Sequence, residues 1–267
     1  MGHRPSRLKP DAFMPRLDQL LVSLGLATSR TRAQRLIRHG RVSRLDTQQT
    51  LTKASEKLAD STPLAVADDP EERYVSRAGL KLEAILRARE KRFNGQTVLD
   101  VGQSTGGFTD CALRFGAETV IGIEVGHGQL AHTLRRHPQV ICLEGINARR
   151  MSQQQEVLTA LGAVSLDAVV MDVSFISQTL IVPEIAALLP EGGELFSLVK
   201  PQFELSPQAL DKRGVVRDPD SFIQVERKLR QACQINRLRL LDWQESPITG
   251  SDGNREFLLH ARMDHSL

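Results

Sequence analysis

Apolar positions recur along this chain at two different periods, and the change from one to the other divides it. After a polar, basic tail over residues 1–14, Leu17, Leu20, Leu21 and Leu24 fall at helical spacing and Gly25 closes the run, which predicts a first helix. A second helix is expected from an N-cap at Ser29 to a stop at Gly40. It buries Ala33, Leu36 and Ile37 and projects Arg32, Arg35 and Arg38 from the opposite face. Short strands between Val42 and about Val66 complete a small α+β unit over residues 15–67, and the charged, Pro-containing stretch 68–75 reads as a linker.

From Ser76 the pattern alternates helix and strand: a helix over 77–89, a strand over 97–101, a glycine-rich turn, a helix near 109–115 and a strand over 119–124. Further strands are expected at 140–143, 168–171, 194–199, 238–244 and 256–261. Several are almost wholly apolar, as strands buried on both faces must be. The fold class is therefore α/β, with a mostly parallel sheet covered by helices over residues 76–267.

Composition removes several function classes. With 40% hydrophobic and 25% charged residues the chain is neither disordered nor a stapled miniature. Cys111, Cys142 and Cys233 lack zinc-ligand or disulfide-framework spacing, so no metal is expected. No apolar run approaches the roughly 20 residues that cross a bilayer, and the first residues lack a signal-peptide core. A cytoplasmic protein without stable membrane insertion is expected.

The net charge of +3 hides an asymmetry that points to a partner. Residues 1–45 carry ten Lys/Arg against two acids, a balance of +8, and the rest balances to −5. Cationic side chains clustered at one end attract polyanions, and nucleic acid leads that class. Aromatic residues make up only 4%, so recognition by a stacking sheet is disfavoured against reading of backbone and shape.

The first chemical signal is the turn 99–108, LDVGQSTGGF, where Asp100, Gly102, Ser104, Thr105, Gly106 and Gly107 stand between a strand and a helix. Small residues there let a cofactor approach the backbone, and Glu124, at the end of the next strand, has the position of a ribose-binding acid. Three readings remain open on these residues alone: a methyl-donor site, a dinucleotide site, and a tight turn with no ligand. The G-x-G-x-x-G pattern is broken at Ser104 and preceded by the acid Asp100, which suits a sulfonium better than a pyrophosphate.

The second signal is polar chemistry at strand ends: Asp172 after 169–171, Lys200 after 195–199, and Glu256 beside a third strand, with Lys81 on the helix before the glycine turn. Two lysines crowded with acids suit removal of a proton from a weak acid such as a ribose 2′-hydroxyl, since like charge and desolvation make neutral amine available. Each residue also has a bland reading: a solvated Lys81, an N-cap at Asp172, a snorkelling Lys200, a surface ion pair at Glu256.

Several long motifs then occur in order: YVSRAGLKL (74–82), LDVGQSTGGFTD (99–110), VGHGQL (125–130), MDVSFIS (171–177), LVKPQFE (198–204), GVVRD (214–218) and SPITGSDGNREFLL (246–259). In these the chain resembles the TlyA-type family, named as hemolysins and known as ribosomal RNA 2′-O-methyltransferases. The resemblance runs over essentially all of residues 15–261. It implies a Rossmann-like, FtsJ-like methyltransferase using S-adenosylmethionine, with a catalytic tetrad on Lys81, Asp172, Lys200 and Glu256. It places the cofactor against the glycine turn, with Glu124 near its ribose, Asn147 near its adenine, and Asp172 between base and methyl donor.

Residues 15 to about 66 likewise resemble the small RNA-binding module first seen in ribosomal small-subunit protein four. That resemblance implies ribosomal RNA or a ribosomal subunit as partner, contacted through Arg16, Arg30, Arg32, Arg35, Arg38 and Arg41. Ala78, Gln103 and Glu124 depart from the usual family residues, Glu124 by keeping the carboxylate on a longer side chain. A pseudouridine synthase, which shares the small module, a binding-only assembly factor and a membrane-lytic toxin are the competing readings. The downstream tetrad and the lack of an insertable amphipathic or hydrophobic segment weigh against them.

Overall fold

The computed structural model describes residues 14–267 except 163 and 251, so residues 1–13 of the expected basic tail lie outside the described residues. The chain divides into two compact units between Glu72 and Arg73.

In the first unit, helices α1 (Leu17–Ser23) and α2 (Arg30–Arg38) share a core with the antiparallel pair β1 (Val42–Arg44) and β2 (Leu64–Val66), in which Val42 faces Val66. Ser29 caps α2, its hydroxyl accepting the Arg32 N–H at 3.2 Å. Leu24 departs from the expected apolar face. The helix ends one residue before it and Gly25 turns away at φ +71°, which leaves Leu24 exposed. The expected linker 68–75 also differs: Pro70–Glu72 forms a 3₁₀ turn, and Glu72 is bound by Arg32 and Arg35 of α2.

The second unit runs α3 (Ala78–Ala88), β3 (Thr97–Val101), α4 (Gly107–Arg114), β4 (Thr119–Glu124), α5 (His132–Arg135), β5 (Val140–Glu144), α6 (Gln155–Gly162) and β6 (Leu166–Met171). It continues through α7 (Val182–Leu188), β7 (Glu194–Val199), α8 (Pro219–Ile235), β8 (Leu238–Glu245) and β9 (Phe257–Met263). The strands form one sheet in the order β5-β4-β3-β6-β7-β9-β8. Strands β3 to β7 are mutually parallel, and β9 runs antiparallel to both its neighbours.

Side-chain alternation explains the apolar runs. In β3, Val98 joins a core under α3 and α4, whereas Leu99 and Val101 join the opposite core with α7 and α8. From β3 the chain winds out to β4 and β5 and then crosses back to β6 and β7. Strand order therefore reverses beside the carboxyl ends of β3 and β6, where open α/β sheets form their ligand crevice.

Insertion of the antiparallel β9 corrects one expectation. Glu256 stands just before the start of a strand rather than at a carboxyl end. Because Val199 pairs with Phe257, that start coincides with the end of β7, and Glu256 comes to the same edge of the sheet as Lys200.

Candidate active site

After β3 the chain turns through Gly102 (φ +85°), Ser104 (φ +46°) and Gly106 (φ +94°) into α4, which begins two residues earlier than the periodicity suggested. A Cβ on Gly102 would stand 2.6 Å from the Asp172 carbonyl oxygen, so the loop after β6 rests directly on a position only glycine can occupy. Glu124, at the end of β4, ties this turn down. Its two oxygens accept the N–H groups of Ser104 and Gly126, each at 2.9 Å. Both oxygens still have lone pairs for a ligand.

The turn forms one wall of a cavity of about 440 Å³, a size typical of small-molecule sites. Gly102 and Ser104 follow β3, Glu124 ends β4, Asn147 follows β5 and Asp172 follows β6, all five on its lining. Thr105 and Gly107 line an adjoining cavity of about 190 Å³, which shares Gly102, Ser104 and Asp172 with the first.

Two expected cofactor residues are on neither wall. Asp100 is fully buried, because strand alternation turns it with Val98 toward α4, where its Oδ2 accepts the Thr109 hydroxyl at 2.6 Å. Burial, opposed by that hydrogen bond and helped by the charges of Asp172 and Glu124, pushes its carboxyl up to about 7. Gly106 is buried under α5, where a Cβ would strike the side chains of Leu134 and Leu130.

The donor set suits S-adenosylmethionine. Two carboxylates, Glu124 and Asp172, face the main cavity against one cation, Arg149, an arrangement compatible with a nucleoside bearing a sulfonium and unsuited to a pyrophosphate.

Beside the cavity the four tetrad candidates form two ion pairs. Lys200 Nζ lies 2.6 Å from Asp172 Oδ1, and Lys81 Nζ donates to Glu256 Oε2 at 2.5 Å. The second pair is the more buried, with side chains 11% and 3% exposed. Burial raises the Glu256 carboxyl, while Lys81 and then Lys200 pull it down and Asp172 adds to the rise. All four groups thus act on one another at one edge of the sheet.

The sequence reading missed two members of this site. Ser174 accepts a hydrogen bond from Lys200 at 3.0 Å, which with the Asp172 ion pair makes a fork that aims the ammonium. Phe175 is 90% exposed, sits at φ +62° and packs on Phe203 with ring centroids 4.9 Å apart. Both lie within the motif MDVSFIS, where a large apolar residue in a polar loop at a strand end was the available signal.

In the first unit the six arginines are not equivalent. Arg16 and Arg30 donate to the fully buried Asp18 at 3.0 and 3.2 Å, and the hydrogen bond from Arg16 leads those holding its carboxyl well below the usual carboxylate range. Arg32, at 2.7 Å, and Arg35 clasp Glu72, whose carboxyl falls to about 2. Arg41 lies 3.9 Å from Asp69. Arg38 is exposed and has no acidic partner among the described residues.

Residues 74–263 match the FtsJ-like methyltransferase family and residues 15–43 match the S4 domain. The chain is 37% identical over 256 residues to a protein of Mycobacterium tuberculosis (strain ATCC 25618 / H37Rv) named 16S/23S rRNA (cytidine-2′-O)-methyltransferase TlyA, with 92% of this chain and 89% of that one covered. It is 35% identical over 250 residues to Hemolysin A of Brachyspira hyodysenteriae, covering 92% of this chain and 98% of the relative. A solved structure from Streptococcus thermophilus, described as a hemolysin, superposes with a TM-score of 0.70 at 33% identity over 95% of this chain and 90% of its own. Among the described residues no helix is long and apolar enough to cross a membrane, and no cluster of His, Cys, Asp and Glu could hold a metal ion.

Proposed function

The chain belongs to the FtsJ-like methyltransferase family, and we propose that it methylates a ribose 2′-hydroxyl of ribosomal RNA with S-adenosylmethionine as donor. The observation that carries this reading is the fork on Lys200. Its ammonium is held by Asp172 and Ser174 at the rim of a cavity whose other walls suit the donor.

S-adenosylmethionine supplies an activated methyl group on a sulfonium. The protein's part is then to position the acceptor and handle one proton. As an ammonium Lys200 orients the 2′-hydroxyl; having released a proton to solvent, its neutral amine takes the hydroxyl proton as the oxygen accepts the methyl, and Asp172 stabilises the ammonium that re-forms. Lys81 neutralises Glu256 beside them, so the acceptor oxygen enters a site with balanced charge rather than excess carboxylate. Glu124 and Asn147 are the residues offered to the donor's ribose and adenine, with Gly102 and Ser104 supplying close backbone approach. The S4 unit docks structured RNA, with Arg38 a cation that has no acidic partner among the described residues and Arg16, Arg30, Arg32, Arg35 and Arg41 set in place by their acids.

The test is transfer of labelled methyl to purified small and large ribosomal subunits from cells lacking the protein, followed by mapping of 2′-O-methylation. Label on one subunit that disappears with Lys200→Ala supports the assignment. No label on either subunit, with donor binding demonstrated separately, refutes it in favour of a binding-only role.

A further inference from the structure

We propose that Glu204 and Lys228 are positioning residues that hold Lys200 against Asp172, an inference that rests on the methyl-transfer reading above. Asp172 and Ser174 lie on the loop after β6, and Lys200 begins the loop after β7. Strand pairing does not fix their separation, because the β6–β7 ladder ends at Met171 opposite Ser197. The spacing is set farther along both loops by one carboxylate.

Glu204, four residues after Lys200, has a side chain only 1% exposed. Its Oε1 accepts the Gln178 N–H at 2.7 Å, and its Oε2 accepts the Ser177 hydroxyl at 2.6 Å, so a single side chain spans the two loops. Lys228 reaches in from α8 to donate to Glu204 Oε2 at 3.2 Å and to the Glu204 carbonyl at 2.7 Å, with the Ser177 hydroxyl 3.3 Å away. Behind this clasp the Gln178 side chain donates to the Leu198 carbonyl at 2.7 Å and accepts the Ser197 hydroxyl at 2.8 Å, fastening the first loop to β7 itself.

A buried carboxylate with both oxygens engaged by different elements cannot rotate without stranding a charge. The two loops are therefore registered to one another within hydrogen-bond tolerance, and Ser177 is only three residues from Ser174, which bonds Lys200. None of Ser177, Gln178, Glu204 and Lys228 lines either cavity described above. Glu204 and Lys228 line a separate cavity of about 160 Å³, so the device acts on the chemistry through Lys200 and Asp172 rather than from the wall of the donor cavity.

The experiment compares wild type with Glu204→Gln, Lys228→Met and Lys228→Arg. It measures single-turnover methyl transfer to saturating ribosomal subunits, S-adenosylmethionine binding by calorimetry, and melting on the same preparations. Glu204→Gln keeps the shape but sets an amide N–H against existing donors. Since misplacement by about 1 Å costs on the order of 100-fold, it and Lys228→Met are expected to lower the saturated rate about 10- to 100-fold. KM for the subunit and the donor Kd should move by less than about threefold, because the uniform-binding contacts are untouched. Lys228→Arg retains donors for Glu204 Oε2 and the Glu204 carbonyl and is expected to restore the rate to within about threefold.

Three results would each overturn the positioning role: variant rates equal to wild type, rate losses matched by loss of folded protein, or Lys228→Arg as impaired as Lys228→Met. Each leaves wild-type transfer, and with it the methyltransferase reading, intact. A wild-type protein that binds donor but labels neither subunit overturns both.

Discussion

Gln103 and Gly122 occupy complementary space: a Cβ built on Gly122 of β4 would fall 2.0 Å from the Gln103 carboxamide. Gln103 is 3% exposed beneath the glycine turn, and its Nε2 donates to Thr109 Oγ1 at 3.0 Å, joining the bond from Thr109 to Asp100. Gly122→Ala should therefore destabilise the fold by about 1–3 kcal/mol through overpacking. Adding Gln103→Ala should return most of that loss, because the methyl then enters the space the carboxamide leaves. A double-mutant cycle by chemical denaturation measures the coupling. Strict additivity would mean the two side chains do not compete.

Asp100 makes stability depend on pH in an unusual direction. Its carboxyl is pushed up to about 7 in the fold, above an ordinary value near 3.8, so the folded state binds the extra proton. The sign follows from linkage. This contribution is complete at low pH and is lost as pH rises from about 4 through about 7. Asp100→Asn, which preserves an acceptor for Thr109, should leave the protein relatively more stable than wild type at pH 8 than at pH 5. Melting both proteins across that interval checks it, and a constant difference in Tm would count against the protonated buried carboxyl.

Breaking the Lys81–Glu256 pair on one side should be worse than replacing both partners. Lys81→Met leaves a carboxylate 3% exposed with no ammonium, and loss of one partner of a buried pair costs about 3–5 kcal/mol. The loss should shrink at pH 5, since burial already pushes Glu256 up and removal of Lys81 pushes it further. Lys81→Met with Glu256→Leu should recover stability while transferring no methyl. Denaturant unfolding at pH 7.5 and pH 5 separates the two states, alongside the labelled-methyl assay.

Arg38 and Arg30 should differ in kind when each is replaced by Ala. Arg38 is exposed and unpaired among the described residues, so its loss should weaken binding to ribosomal RNA and reduce the salt slope by about 1 with little change in Tm. Arg30 donates to Asp18, which is fully buried, so its removal should lower Tm as well. RNA binding titrated at several salt concentrations, with melting of the same samples, distinguishes a contact from a brace.

Phe175 is held at φ +62°, a conformation unfavourable for a bulky residue, and is 90% exposed while doing nothing visible for the core. Strain of that kind is retained where it serves a site, and an exposed ring at the rim of the cavity suits stacking on an unpaired base. Phe175→Gly should raise Tm slightly and lower the kcat/KM for RNA about tenfold, the loss of one stacking contact of roughly 1–3 kcal/mol. Unchanged transfer by the variant would remove the ring from the acceptor's path.

Much of the fold was legible because burial imposes a period. The strand expected over 97–101 and those over 119–124 and 194–199 occupy those residues in the structure. The same alternation, applied residue by residue, already implied that Asp100 shares the face of Val98 and points away from the crevice. The site was legible only as residue types at strand ends, together with the resemblance. That Lys81 meets Glu256 across 175 residues is a consequence of β9 entering the sheet antiparallel, which no local pattern announces. The pairing of Arg32 with Glu72 is hidden in the same way, because periodicity assigns a side chain to a helix face without saying which acid arrives there. The role of Phe175 depends on a backbone angle, and one residue name does not report it.

Inserting β9 between β7 and β8 also separates order along the chain from order in space. Every residue on the wall of the larger cavity lies between Gly102 and Ile176, whereas Glu256 arrives some eighty residues later. Along the chain, then, all the residues that wall this cavity come before the carboxylate that pairs with Lys81. On the reading proposed above, every residue offered to the methyl donor precedes in the chain the last member of the tetrad, and the antiparallel entry of β9 is what carries that member back to the site.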